Sequence, residues 1–432
     1  MLNDWRNLHR HKLVSAEQAV AHVKSGDRVV IGHACGEPPS LVEALVARAG
    51  ELRDVEIVHM VAMGPAKYAQ AGMENSFRHN ALFVGGSTRK AVGEKRADFT
   101  PCFFSEIPRL FRDNILPVDI VLMQVTEPDE AGFCSCGVSA DYTKPAAECA
   151  RIVIAQMNRL LPRTNGAKIS LEDITFIVEK EEDLIELKPP TIGEVEKKIG
   201  EYVAKLIPDG ATLQLGIGAI PDAVLLFLKN KRDLGIHSEM FSDGVVFLAE
   251  AGVITNSKKT INRGKFMATF LMGTRKLYDF ANNNPAVEIQ PVDLINDPFV
   301  IGQHDNMISI NSALQVDLMG QVNAEMIGNR QFSGIGGQVD FIRGASRSKG
   351  GKSIIALPAT AAGGKISRIA SSLDCGAAVS TSRNDVHYVV TEFGIAELRG
   401  KTLHQRAETL IAVSHPEFRA LLRQEAMTKG IL

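Results

Sequence analysis

The chain has 432 residues, 45% of them hydrophobic and 23% charged, so a large apolar core poses no compositional difficulty, and at about 150 residues per domain two units are the first expectation. A formal net charge of -2 with Lys and Arg scattered along the chain argues against a nucleic-acid partner or an anionic membrane surface and leaves a small anionic ligand open. No apolar run approaches the ~18 residues a bilayer span needs, and the opening "MLNDWRNLHRHKLVSAEQAV" lacks the apolar stretch of a secretory signal, so no membrane partner is expected and the cytoplasm is the expected compartment.

In chain order, the first informative stretch is "SAEQAVAHVKSGDRVVIGHACGEPPSLVEALVAR", residues 15–48. Ser15 with Gln18 predicts a capping box at a helix start, Gly26 a turn, "DRVVIG" a short strand, and "GHACGEPP" a Gly/Pro turn into a second helix. The same plan returns in "TIGEVEKKIGEYVAKLIPDGATLQLGIGAIPDAVLLFLKNK", residues 191–231. There Thr191 with Glu194 predicts the cap, Ile192, Val195, Ile199, Tyr202 and Leu206 a buried helical stripe, Gly210 the turn and "ATLQLG" the strand. A duplicated helix-strand-turn-helix unit predicts two α/β halves. Their boundary is expected near the acidic, proline-marked "EKEEDLIELKPP", giving blocks 1–188 and 189–432. Further strands are expected in "EIVHMV" (56–61), "DIVLMQV" (119–125), "ARIVIAQM" (150–157), "SIIALP" (353–358) and "HYVVTEF" (387–393). All are apolar on both faces, as in a parallel sheet covered by helices, and such sheets collect ligands at the carboxyl ends of their strands.

Three stretches are candidates for chemistry. In "QLGIGAIPDAV" (214–224) a Gly-x-Gly turn joins a strand to a helix, which reads either as a tight structural turn or as a cradle for phosphate; Pro221 replaces the third glycine of a dinucleotide fingerprint. In "QFSGIGGQVDFIRGASRSKGG" (331–351), Gly334, Gly336 and Gly337 read either as a flexible connector or as a loop whose backbone amides converge as an oxyanion hole requires, and Gln338, Asp340 and Phe341, which read as the start of a regular element, favour the ordered loop. In "LGIHSEMFSDG" (234–244), Glu239 follows a short apolar run and so falls in a strand-end loop, where a carboxylate is either a solvated surface group or a reacting one. The loop "GGSTRKAVGEKR" (85–96) combines hydroxyls and cations and reads as an anion contact or an exposed basic turn. Cysteines at 35, 102, 134, 136, 149 and 375 form no C-x-x-C pair and are expected to be reduced and structural. The histidines form no H-x-x-x-H helix pair and no zincin pattern, and no metal is expected.

The chain resembles the acetyl-CoA hydrolase/transferase family, a branch of the family I coenzyme A transferases. The likeness runs through "SGDRVVIGHACGEPPSLVEALV", "GEVEKKIGEYVAKLIPDGATLQLGIGAIPDAV", "FSGIGGQVDFIRGAS" and "TSRNDVHYVVTEFGIAELRGK". It implies two related open α/β domains, a homodimer, coenzyme A as a substrate with no tightly bound cofactor, and acyl-CoA and small carboxylic acids as partners. By the same resemblance Glu239 is the nucleophile. The coenzyme-contacting turn falls on Gly216, Ile217, Gly218, Ala219 and Ile220, the loop near the thioester on Gly336, Gly337 and Gln338, and a further backbone contact on Leu314. The implied activity is transfer of CoA between a short-chain acyl-CoA (4-hydroxybutyryl-, butyryl- or acetyl-CoA) and a free carboxylate such as acetate, through a glutamyl-CoA thioester. Hydrolysis by the same glutamate is the alternative. The acyl pocket is expected to draw on residues 32–39, 61–65 and 85–96. One departure from related sequences is Phe247 in "DGVVFL", where an acidic residue is common.

Overall fold

The computed structural model describes residues 5–432. The chain forms two compact units: one takes the chain up to Leu187 together with Met267–Ile295, and the other takes Lys188–Phe266 and Asn296–Leu432. The expected blocks 1–188 and 189–432 are therefore interrupted by an excursion of 29 residues or so into the first unit. Tertiary pairing holds it there: Val287–Ile289 runs parallel to Asn165–Gly166, and the Tyr278 hydroxyl donates to Ile185 O at 2.8 Å.

The first unit is built on seven strands: β1 (Arg28–Ile31), β2 (Val55–His59), β3 (Phe77–Ala81), β4 (Ala97–Phe99), β5 (Ile120–Val125), β6 (Ile152–Met157) and β7 (Phe176–Glu179). They lie in the order β7-β6-β5-β1-β2-β3-β4 and every pair is parallel. All six residues of β5 are buried, as a strand covered on both faces requires. Helix α1 (Ala16–Val20) begins with the expected capping box, Ser15 accepting from Gln18 N and the Gln18 side chain accepting from Ser15 N. Together with α2 (Pro39–Ala47) it closes a core of Val29, Ile31, Leu41, Leu45, Ile57 and Ile120. The basic loop at 85–96 contains a short helix, Arg89–Gly93, and Arg96 donates to Glu94 at 2.7 Å, so part of its charge is already matched.

The second unit repeats the plan. Helix α3 (Glu194–Lys205) starts later than expected: the cap is Gly193, whose N–H reaches Glu196 at 3.0 Å, and Thr191 lies before it. Its buried face is also rotated from the expected stripe. Ile199, Gly200, Val203 and Ala204 are buried, while Val195 is exposed and Tyr202 and Leu206 are half-buried. Gly200 explains the rotation, since a Cβ there would stand 2.7 Å from the Ala223 carbonyl carbon; the helix backbone itself rests on α4 (Ala219–Leu226).

The sheet comprises β8 (Thr212–Leu215), β9 (Gly235–Ile236), β10 (Met307–Ser312), β11 (Lys352–Ala356), β12 (Tyr388–Thr391) and β13 (Gly394–Glu397). Their order is β9-β8-β10-β11-β12-β13, parallel except for the closing β12–β13 hairpin. Chain order reverses on either side of β8, because β9 lies to one side and β10 to the other. Loops leaving β8 and β10 therefore diverge and open a crevice at the carboxyl edge. Helices α5 (Asp243–Glu250), α6 (Gln338–Arg347), α7 (Leu403–Val413) and α8 (Pro416–Thr428) complete the unit. Ile342, Ile355, Val389, Leu410 and Leu422 lie in its main core. Among the described residues no helix is long and apolar enough to cross a membrane.

Candidate active site

Glu239 follows β9 directly, in the loop between Ile236 and the two-residue strand Met240–Phe241. Its side chain is half-buried. The backbone N–H of His237 still bonds to Leu213 O at 3.1 Å. The next residue, Ser238, lies 3.3 Å from Leu215 N and 3.2 Å from Leu215 O through its hydroxyl. The glutamate therefore projects from a segment stitched to the end of β8, which makes it part of a positioned site and not a freely rotating surface group.

Asn296 and Gly337 both meet its carboxylate. Asn296, fully buried, donates from Nδ2 to Glu239 Oε2 at 3.1 Å. Gly337 abuts the same oxygen: a Cβ built there would stand 3.2 Å from Glu239 Cδ and well inside 3.0 Å of both Oε2 and Asn296 Nδ2. At φ -91° the backbone of Gly337 suits any residue, so space alone demands glycine here. Gly336, at φ +53°, makes the left-handed turn that brings the loop in.

The expected regular element after these glycines is α6. Gln338 anchors its start, donating from Nε2 to Ser312 O at 2.8 Å and accepting from Thr381 Oγ1 at 3.2 Å. Its own N–H goes to Ile335 O. What Gln338 supplies is the position of the Gly336-Gly337 loop against the end of β10.

The turn Gly216-Ile217-Gly218 follows β8. A Cβ at either glycine would meet nothing within 4 Å, so the turn faces open space, and Gly218 at φ +118° caps α4. Ile217 is exposed, Ala219 is half-buried, and Ile220 begins the buried face of the helix. The amino end of α4 carries the partial positive charge that attracts an anion. Asp222 already lies in that first turn, held by the Ser242 hydroxyl at 3.3 Å, and burial pushes its carboxyl up. Beneath the turn, Gln214 joins β8 to β10 by accepting from Ser309 Oγ at 2.8 Å and Ile310 N at 3.2 Å. Leu314 lies just beyond β10, half-buried, with its N–H spent on Asn323 O at 2.9 Å. The ends of β8, β9 and β10 thus carry the glycine turn, Glu239 and Leu314 side by side.

Asn296 was not among the expected residues. Its only local signal is the turn-forming "NDP", in which Asp297 caps the next helix by accepting from Phe299 N at 2.8 Å, and it stands 57 positions from Glu239. Phe247 lies exposed on α5. In the first unit, two of the three expected pocket segments meet at a cavity of about 590 Å³ lined by Glu37, Pro39, Met63, Gly64 and Pro65; residues 85–96 do not line it. Glu37 accepts from Gly64 N at 3.0 Å, and burial pushes its carboxyl up. Burial also raises Cys134 and Cys136 to about 12, so these thiols are inert packing.

Comparison with known proteins gives a consistent answer. Family models described as the acetyl-CoA hydrolase/transferase N-terminal and C-terminal domains match residues 3–189 and 273–426. The 4-hydroxybutyrate coenzyme A transferase of Clostridium kluyveri is 62% identical, across 98% of this chain and 99% of that protein. A crystal structure of a 4-hydroxybutyrate CoA-transferase from Porphyromonas gingivalis superposes with a TM-score of 0.86 at 43% identity, covering 99% of this chain and 100% of that one. RipA from Yersinia pestis does so at 0.95 and 38%, with the same coverage.

Proposed function

Because the chain belongs to the acetyl-CoA hydrolase/transferase family, we propose that it is a CoA-transferase exchanging coenzyme A between 4-hydroxybutyryl-CoA, or a similar short acyl-CoA, and a free carboxylate such as acetate, with Glu239 as nucleophile. The observation that carries this reading is the carboxylate of Glu239 at the carboxyl edge of the second sheet, bonded by Asn296 and pressed against Gly337. The high identity to a 4-hydroxybutyrate CoA transferase supports the choice of acyl group.

The chemistry follows from a carboxylate that becomes acylated itself. Glu239 attacks the thioester carbonyl, forming a mixed anhydride and releasing CoA thiolate. The thiolate attacks the glutamyl carbonyl, the acid leaves, and Glu239 is now a CoA thioester. Acetate reverses the steps and departs as acetyl-CoA, so the thioester bond is exchanged and never hydrolysed. Each addition places negative charge on an oxygen beside Glu239. Asn296 Nδ2 and the amides of the Gly336-Gly337 loop are the donors at hand, and one such donor is worth about 10² to 10³ in rate. The open glycine turn and the amino end of α4 are suited to the coenzyme's phosphates, which fix the thioester against the glutamate. Water has to be kept from the anhydride and from the glutamyl thioester, since either would hydrolyse.

The test is an exchange assay with 4-hydroxybutyryl-CoA and labelled acetate. Label entering acetyl-CoA, with parallel lines as both substrates are varied, is the expected result. CoA release that is independent of acetate would make the protein a hydrolase and overturn the transfer reading.

A further inference from the structure

Strand β9 is the edge of its sheet, and the way its outer side is satisfied bears on Glu239. Gly235 and His237 turn their N–H groups inward, to Ala211 O at 2.9 Å and Leu213 O at 3.1 Å on the side of β8. The intervening Ile236 points both backbone groups outward, as strand alternation requires, and the segment bridged to Leu234 at Ile254 gives way there to side chains. Two side chains from the loop after α5 take that place. Asn256 Oδ1 accepts from Ile236 N at 2.8 Å, and Lys259 Nζ donates to Ile236 O at 2.7 Å. Lys259 donates again to Lys265 O at 2.6 Å and is 1% exposed, while Asn256 is 0% exposed. The lysine stem crosses the strand at Gly235, where a Cβ would stand 2.5 Å from Lys259 Cγ.

A buried ammonium is a costly group to place at a sheet edge, and here it is spent on holding the carbonyls of Ile236 and Lys265. Ile236, the residue it holds, stands three positions before Glu239, a backbone span of at most roughly 10 Å. We infer that Lys259 is a positioning residue for the reaction: with Asn256 it fixes the segment that aims Glu239 at Asn296 and Gly337, and its charge biases Glu239 toward the ionised form that attacks. The inference rests on Glu239 being the nucleophile. His304 packs on His237, two residues before Glu239, at 4.6 Å between ring centroids. His304 is driven to about 2, by burial first and then by His237 and Lys259, so it stays neutral and supplies no charge. One unit charge at this range through partly buried protein moves a carboxylate by about one pH unit.

The experiment uses the full chain and reads the pH dependence of kcat/KM for 4-hydroxybutyryl-CoA with acetate. Lys259→Gln keeps a donor for Ile236 O and loses the charge; Lys259→Met loses both. In each the acid limb is expected to move up by about one unit, with kcat at neutral pH down tenfold or more and KM within about twofold. Asn256→Ala, which disturbs only the geometry, is expected to lower kcat and leave the limb in place. A folded Lys259→Gln enzyme whose acid limb is unmoved overturns the inference, as does an equal shift in Asn256→Ala. Borohydride trapping and peptide mapping on the unsubstituted enzyme separate the two levels: an adduct away from Glu239 fails the reading on which the inference rests, whereas an adduct at Glu239 with an unmoved limb fails only the role of Lys259.

Discussion

Replacing Gly337 with alanine adds a single methyl group where the structure has no room for one. The backbone at φ -91° accepts alanine, so the fold has no conformational reason to object. The methyl carbon would stand 3.2 Å from Glu239 Cδ and within 3.0 Å of both Oε2 and Asn296 Nδ2. The carboxylate has to swing away, and its hydrogen bond to Asn296, 3.1 Å in the unsubstituted protein, is lost. A hydrogen bond to a charged group is worth about 1.5–3 kcal/mol, and a rotamer displaced by ~30° costs about 0.5–1.5 kcal/mol. Together these amount to about 2–4.5 kcal/mol, or roughly 30- to 2,000-fold in rate if the loss falls on the transition state. Steady-state exchange assays with saturating 4-hydroxybutyryl-CoA and acetate should show that fall in kcat, with the thermal midpoint lowered by only a few degrees. A Gly337→Ala enzyme with unchanged kcat would refute the argument that this glycine exists to admit the carboxylate.

Asn296→Ala should reduce kcat by about 10² with little change in KM, because its donor acts on charge that develops during the reaction; a change confined to KM would assign it to ground-state binding. Gly218→Ala forces a side chain into φ +118°, a strain of about 1–3 kcal/mol, and should raise KM for acyl-CoA more than it lowers kcat, as initial-rate measurements would show. Stability should fall in mild acid. His304 is held at about 2 and His79 at about 4, both from 6.5 and both chiefly by burial, so below pH 6.5 the unfolded chain binds protons that the folded one refuses. The contribution is complete above that value and is lost at about 1.4 kcal/mol per pH unit per histidine as pH falls toward the folded value. Between pH 7 and 5 this amounts to about 2 kcal/mol each. Urea midpoints at the two pH values measure it, and a His304→Leu variant whose midpoint falls as steeply as that of the unsubstituted protein would contradict the assignment.

Much of this was legible in the residues, and the exceptions have physical causes. The duplicated plan, the parallel strands and the helix after Gly337 followed from periodicity and punctuation, because buried parallel strands and capped helices leave local marks. The place of Glu239 in a strand-end loop was legible by position, while its role as nucleophile comes from the resemblance and is a proposal, since composition alone would have left it a surface glutamate. Asn296 was not legible, because its meaning lies in a contact across 57 positions with no local pattern to announce it. The start of α3 was misplaced because two acidic residues, Glu194 and Glu196, compete to cap it, and only Glu196 reaches the amide of Gly193. Its buried face turned because Gly200, which a hydrophobic count ignores, lets the backbone approach Ala223. The excursion at 267–295 into the first unit was invisible for a similar reason: it is fixed by pairing with distant strand and carbonyl partners.

The claim on which the account turns is that Glu239 itself carries the acyl group and then the coenzyme. Intact-protein mass after mixing with 4-hydroxybutyryl-CoA in the absence of acceptor acid, followed by borohydride reduction and peptide mapping, tests it directly, with Glu239→Gln as the blank. The account predicts a CoA adduct on the protein, reduction confined to the peptide containing Glu239, and loss of activity that depends on acyl-CoA. An adduct on another residue, or none under conditions where the acyl-CoA binds, would contradict it.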